Sequence, residues 1–183
     1  MVEIIDLVPF IIGMPKGLKQ TSSAIPIGFS VTESGANTFT QSSIDLNLSP
    51  LDREVFVVLA VNMDPFNPDN VDKTDTSVAT SLTSTSQTAV QNLSNSNCLA
   101  NAVLAIKAVA ATGIAVPFST TGMETPPATL EYIGIIATND FFVQVKGDNN
   151  LGAKGVSGKL YGYRAIADAD IYAALVQSEV LSA

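Results

Sequence analysis

The chain has 183 residues, a net charge of −8, and 14% charged against 46% apolar residues. That is one domain of ordinary size with enough apolar material for a large core, and too acidic for direct binding of nucleic acid, which takes clustered Lys and Arg. It has no His and no Trp, which removes Ser–His and Cys–His nucleophile pairs, histidine zinc sites and the usual general base near neutral pH.

Residues 1–24 read as an N-terminal arm or strand, followed by a single β-sandwich domain over 25–183. The segment Met1 to Lys19 is apolar enough to suggest a secretion signal. However, Glu3 and Asp6 stand where a basic region belongs, and Lys16 and Lys19 follow the apolar part. A segment that docks on the body or on a neighbour is the expectation.

Strand periodicity then dominates. Ile25 to Thr32 alternates apolar with small or polar residues, and Thr38 to Leu48 places Ile44, Leu46 and Leu48 on one face. Glu54 to Met63 is a continuous β-branched run, as expected of a buried central strand. Thr80 to Val90 is Ser/Thr-rich and fits a strand. Thr129 to Thr138 and Phe141 to Lys146, separated by Asn139 and Asp140, predict a hairpin. Gly147 to Gly158 reads as a flexible loop between antiparallel strands. It misses the phosphate-loop register by one residue, with no hydroxyl after Lys154. Lys159 to Ile166 predicts a last strand.

Two helices are expected. Asn97 to Ala111 is Ala-rich, with Leu99, Val103, Ile106 and Ala110 at helical spacing, and Gly113 beyond its end. Asp168 to Leu181 begins with acidic residues, which suit a helix N-terminus. The fold class is therefore all-β: a two-sheet antiparallel β-sandwich of jelly-roll type with one or two short helices.

Charge patterning is the most unusual feature. From Thr76 to Met123, 48 residues, the one charged side chain is Lys107, where an average domain would place roughly 12. Charges normally coat surface that faces water, so this stretch predicts surface covered by another subunit, a membrane or the core. Its Ser/Thr-rich half, Thr76 to Asn97, is the expected subunit contact, with Ser84, Thr88 and Asn92 as interface residues. Its apolar half, Cys98 to Phe118, is long enough to span a membrane. Lys107 near the middle and the weakly inserting alanines favour packing inward instead. The single thiol, Cys98, reads as a small buried hydrophobe.

No motif specifies catalysis, and the chain is not expected to be an enzyme. Asp168 and Asp170 are spaced as a pair but fit a helix start better than acid–base work. No cofactor is expected beyond calcium as the one metal worth testing. The loop Asp64 to Asp75 offers Asp64, Asp69, Asp72 and Asp75 as oxygen donors, without the spacing, glycine or final Glu of the twelve-residue calcium loop. A solvated turn shaped by Pro, Asn and Asp is the plainer reading. Asn47-Leu-Ser49 and Asn92-Leu-Ser94 match the glycosylation sequon.

In size, strand-rich pattern, Ser/Thr/Asn/Gly-rich loops and low charge, the stretch from Ile25 to Ile166 resembles the small single jelly-roll capsid proteins of icosahedral bacterial and archaeal viruses. The resemblance implies a structural virion protein, made in the host cytoplasm. It would self-assemble into a shell with other virion proteins, sometimes around an internal membrane that it could touch peripherally. No functional residue carries over from it. An extracellular filament or surface-layer subunit joined by strand exchange is the main alternative, and a ligand-binding sandwich the second.

Overall fold

The continuous apolar run of the fourth strand organises the molecule. The computed structural model describes residues 15–108, 114–122 and 130–181. Ten strands and one helix lie along it: β1 (Leu18–Gln20), β2 (Ile25–Thr32), β3 (Thr40–Asp45), β4 (Glu54–Pro65), β5 (Thr76–Thr83), β6 (Cys98–Ala108), β7 (Ala115–Gly122), β8 (Gly134–Ile136), β9 (Asp140–Asp148), β10 (Gly155–Ala167) and α1 (Ala169–Leu181). One sheet has the order β1-β10-β4-β8, with β2 on the same edge of β10 as β1. The other has the order β3-β9-β5-β6-β7, and every pairing is antiparallel. Setting β1 and β7 aside, the orders β2-β10-β4-β8 and β3-β9-β5-β6 are those of a jelly roll, two Greek keys folded face to face.

β4 is buried on both faces. Phe56, Val58, Val61 and Met63 face the other sheet, while Val55 and Val57 face outward beneath α1 with Ala165 and Ala167. A bulge makes this possible: the register against β10 shifts between Tyr161 and Gly162, so Ala60 and Val58 oppose neighbouring residues. Glycine is required at two inward positions of β10. A Cβ at Gly158 would meet the Phe29 ring and the Asn62 carbonyl, and one at Gly162 the Phe56 ring and the Val57 carbonyl. Phe29 in turn meets Phe141 of the opposite sheet edge to face, centroids 6.1 Å apart.

α1 confirms the expected C-terminal helix. Ile171, Tyr172, Leu175 and Val176 pack on Val55, Val57 and Tyr163. Gly17, at a φ of 79°, makes the tight turn into β1, and its carbonyl accepts the Asp168 amide at 2.9 Å.

Three expectations are corrected. Asn97 to Ala111 is not a helix, since Cys98–Ala108 is strand β6. Pairing with β5 and β7 on both sides overrides alanine's helix preference. Val103 consequently faces outward, because Ala100 and Ala102, at the opposite parity, line the core. No hairpin forms at Asn139 and Asp140: β8 and β9 belong to different sheets. Asn139 ties that corner down, its side chain accepting the Leu48 amide at 2.7 Å and its carbonyl accepting the Leu46 amide at 2.7 Å. Half of the Gly147 to Gly158 segment belongs to strands β9 and β10, and the turn between them crosses from one sheet to the other. Within the expected arm or strand, residues 18–20 form β1 and pair with β10, while residues 1–14 lie outside the described residues.

Phe56→Ala is expected to lower stability by about 3–5 kcal/mol, whereas Val103→Glu should cost about 1 kcal/mol or less. Urea denaturation of the two variants checks the inward and outward assignments together.

Candidate assembly surface

The uncharged stretch divides into a part folded upon itself and a part left open. Residues 84–97 close back over the outer side of β5 and β9 through amides and hydroxyls. The Ser81 hydroxyl donates to Gln144 Oε1 at 2.7 Å and accepts the Gln91 amide at 3.0 Å. Gln144 Nε2 donates to Thr83 Oγ1 and to Gln41 Oε1, which also accepts the Gln87 amide. Asn97 Nδ2 donates to Thr85 Oγ1 at 2.8 Å. Buried polar atoms need such partners, and among the described residues no buried side-chain nitrogen or oxygen lacks one.

This divides the three expected interface residues. Ser84 is 6% exposed and faces its own subunit, its amide bonded to the Asn97 carbonyl at 2.9 Å. Thr88 and Asn92 are exposed. Asn92 Oδ1 accepts the Ser94 amide and hydroxyl in a local turn.

The open part is β7 with the adjoining half of β6. Val116 is 43% exposed, Phe118 57% and the preceding Ile114 59%. Register places Val116 and Phe118 on the outer face, opposite Lys107 and Ala105, and Pro117 on the inner face, opposite Ile106. β6 meets the facing sheet through β4, and β7 lies one strand further out. An apolar groove of about 440 Å³ runs beside the β6–β7 pair, lined by Pro68, Leu104, Ile106, Pro117 and Phe118. Among the described residues no strand pairs with the other edge of β7. Long apolar edge strands template pairing with other chains.

Lys107, the lone charge here, is held by Asp75 at 2.8 Å. That pair, with the Ala108 amide on Asp75, lowers the Asp75 pKa.

The acidic loop is stitched into the fold and does not converge on a centre. Asp69 accepts Lys154 Nζ at 2.6 Å and the Leu151 amide at 2.9 Å, and these bonds hold its pKa below the usual carboxylate value. Asp64 is exposed on β4, and Asp72 lies in an exposed turn. Among the described residues no three His, Cys, Asp or Glu side chains form a metal-binding group. Nearby Asn150, buried, donates to the Ser77 carbonyl and accepts the Asp69 amide at 2.9 Å, while Glu33 accepts the Gly147 and Lys154 amides. Sequence reading missed this knot, because Asn150 and Glu33 look like ordinary loop residues.

Two further groups are buried. Burial pushes the Cys98 thiol up to about 11, as suits a structural cysteine. Glu179 of α1 accepts the Ala137 and Thr138 amides at 3.1 and 3.0 Å. Burial outweighs those bonds and raises its pKa.

No known protein family and no curated protein matches the chain. Among solved structures, one chain titled Desmodium yellow mottle tymovirus is similar at 14% identity, over 85% of this chain and 95% of that one, with a TM-score of 0.32. An overlap that loose adds nothing to the jelly roll, which rests on this chain's own strand order, and it gives no support to a narrower tie with bacterial or archaeal viruses.

The raised pKa of Glu179 sets a direction. The folded state holds this proton more tightly than the unfolded one. The group's contribution is therefore complete below the unfolded value and lost as pH rises through the folded value. Glu179→Gln removes that ionisation, so the variant should gain on the wild type as pH rises from about 4 to 7. Urea denaturation of both proteins across that range checks it. A constant difference would contradict the burial argument.

Proposed function

We propose that this protein is a structural subunit of a virion shell, assembling through its charge-poor β6–β7 overhang. The observation that carries the reading is strand β7, which exposes Val116 and Phe118 and whose outer edge pairs with no strand among the described residues, at the rim of a sandwich whose interior is already filled by its own side chains. Jelly rolls serve as capsid, lectin and cupin domains. A cupin-like metal site finds no histidine here, and a lectin-like site finds no tryptophan platform. Subunit contact uses what the surface does offer: cores of stable interfaces are apolar and depleted in charge.

In this reading the principal partner is a second copy of the chain. Other virion proteins complete the shell, and the acidic subunit leaves the genome to another component. The membrane-facing role implied by the resemblance would fall to the same apolar rim. Calcium at Asp64, Asp69, Asp72 and Asp75 is secondary, and it requires Asp69 and Asp75 to release their lysines.

Purified protein should form closed particles in negative-stain micrographs. Phe118→Glu should remove them while changing stability by only about 0.5 kcal/mol, as expected of an exposed site. A monodisperse monomer at high concentration would overturn the proposal. Linear fibres would favour the filament alternative, since an open helical contact differs in symmetry from a closing one.

A further inference from the structure

The C-terminal end of α1 is fastened by a buried acid. Glu179 is 6% exposed, and its two carboxyl oxygens accept the Ala137 and Thr138 amides at the corner between β8 and β9. Earlier in the helix Ile171, Tyr172, Leu175 and Val176 are seated on the apolar cluster. Of the described residues beyond them, Glu179 alone is buried, and Val180 and Leu181 are exposed. Packing around the contact is open. One cavity of about 240 Å³ lies between Tyr172, Val176 and Leu48. Another of about 260 Å³ lies between Val180, Phe142 and Ser84, and Thr138 stands in the wall of both.

We infer that the last turn of α1 is a pH-operated latch, closed while Glu179 is protonated and lifted when it ionises. Three features act against a carboxylate in the closed position. Burying a charge without a cation is costly, and no Lys or Arg lines either cavity. The charged groups in their walls are acidic: Asp140 of β9 shares the cavity of Glu179, and Glu54 of β4, paired to Arg164 at 3.3 Å, lines the other. Residues 84–86 bring hydroxyls, and Tyr132, Tyr163 and Tyr172 bring phenols. Finally, Glu179 lies in the last turn of a helix that has no basic residue there, where the negative end of the helix dipole disfavours an anion. The two amides offset part of this, but burial prevails and the acid holds its proton to higher pH than a free carboxyl. Lifting the turn returns the carboxylate to water, along with both amides. The closed form is therefore fully favoured below the pKa of the free carboxyl and gives way as pH rises through that of the buried one. Because Ile171 to Val176 keep their apolar seat, the opening is local, and it joins the two cavities beside Thr138.

The test is amide hydrogen exchange of the full chain from about pH 4 to 7, expressed as protection over the intrinsic exchange rate at each pH. Protection of residues 177–181 should fall by about tenfold for each unit by which the buried pKa exceeds the free one, while peptides from β4 and β10 keep theirs. Glu179→Gln cannot ionise, so its protection at the same residues, whatever its level, should not change with pH. Constant wild-type protection at 177–181 across the range would overturn the latch, as would an equal fall in Glu179→Gln. A fall shared equally by β4, β10 and the helix end would also overturn it, because that pattern belongs to global unfolding. Measured on the single subunit, each outcome is independent of the shell reading.

Discussion

The inner face of β10 is the constraint on which the sandwich depends. A Cβ at Gly158 or Gly162 would fill the space that the Phe29 and Phe56 rings occupy between the sheets. Phe29 then meets Phe141 across the interface, and with Leu82, Ile136 and Leu160 these rings fill the interior. A side chain at either glycine would force the β10 backbone away from β4, which pairs with it over nearly its whole length. Because the interior is closed in this way, function is left to the outside of the molecule.

The outside is covered unevenly. α1 shields Val55, Val57 and Ala165 on one sheet, and the amide and hydroxyl network of residues 84–97 shields β5 and β9 on the other. At the far end, Asn150, Glu33 and the Asp69–Lys154 pair lock three loops together. Among the described residues the β6–β7 overhang leaves Val116 and Phe118 exposed, and its one charge is the Asp75-bound Lys107.

Much of this was legible in the sequence where a segment's own pattern decides its structure. Ile25–Thr32 alternates and is β2 as expected, the Glu54 run is a strand buried on both faces, and the acidic start at Asp168 opens α1. The low charge of Thr76 to Met123 was equally visible. Its meaning divided differently, because burial depends on partners distant in sequence. Ser81 and Thr83 satisfy Gln144, some sixty residues away, so their hydroxyls face their own subunit rather than another. Cys98–Ala108 obeys its neighbours over its alanine content, and Asn139 turns a corner between sheets instead of a hairpin. Each miss reflects a long-range pairing that local propensity does not encode.

The central claim is that the rim closes only when copies meet. Amide hydrogen exchange of the assembled protein against the dissociated subunit measures this most directly. The account predicts that peptides covering Ala115–Gly122 gain strong protection on assembly while residues 84–97, already bonded within the subunit, change little. Equal exchange of β7 in both states, or new protection confined to the 84–97 loop, would contradict it.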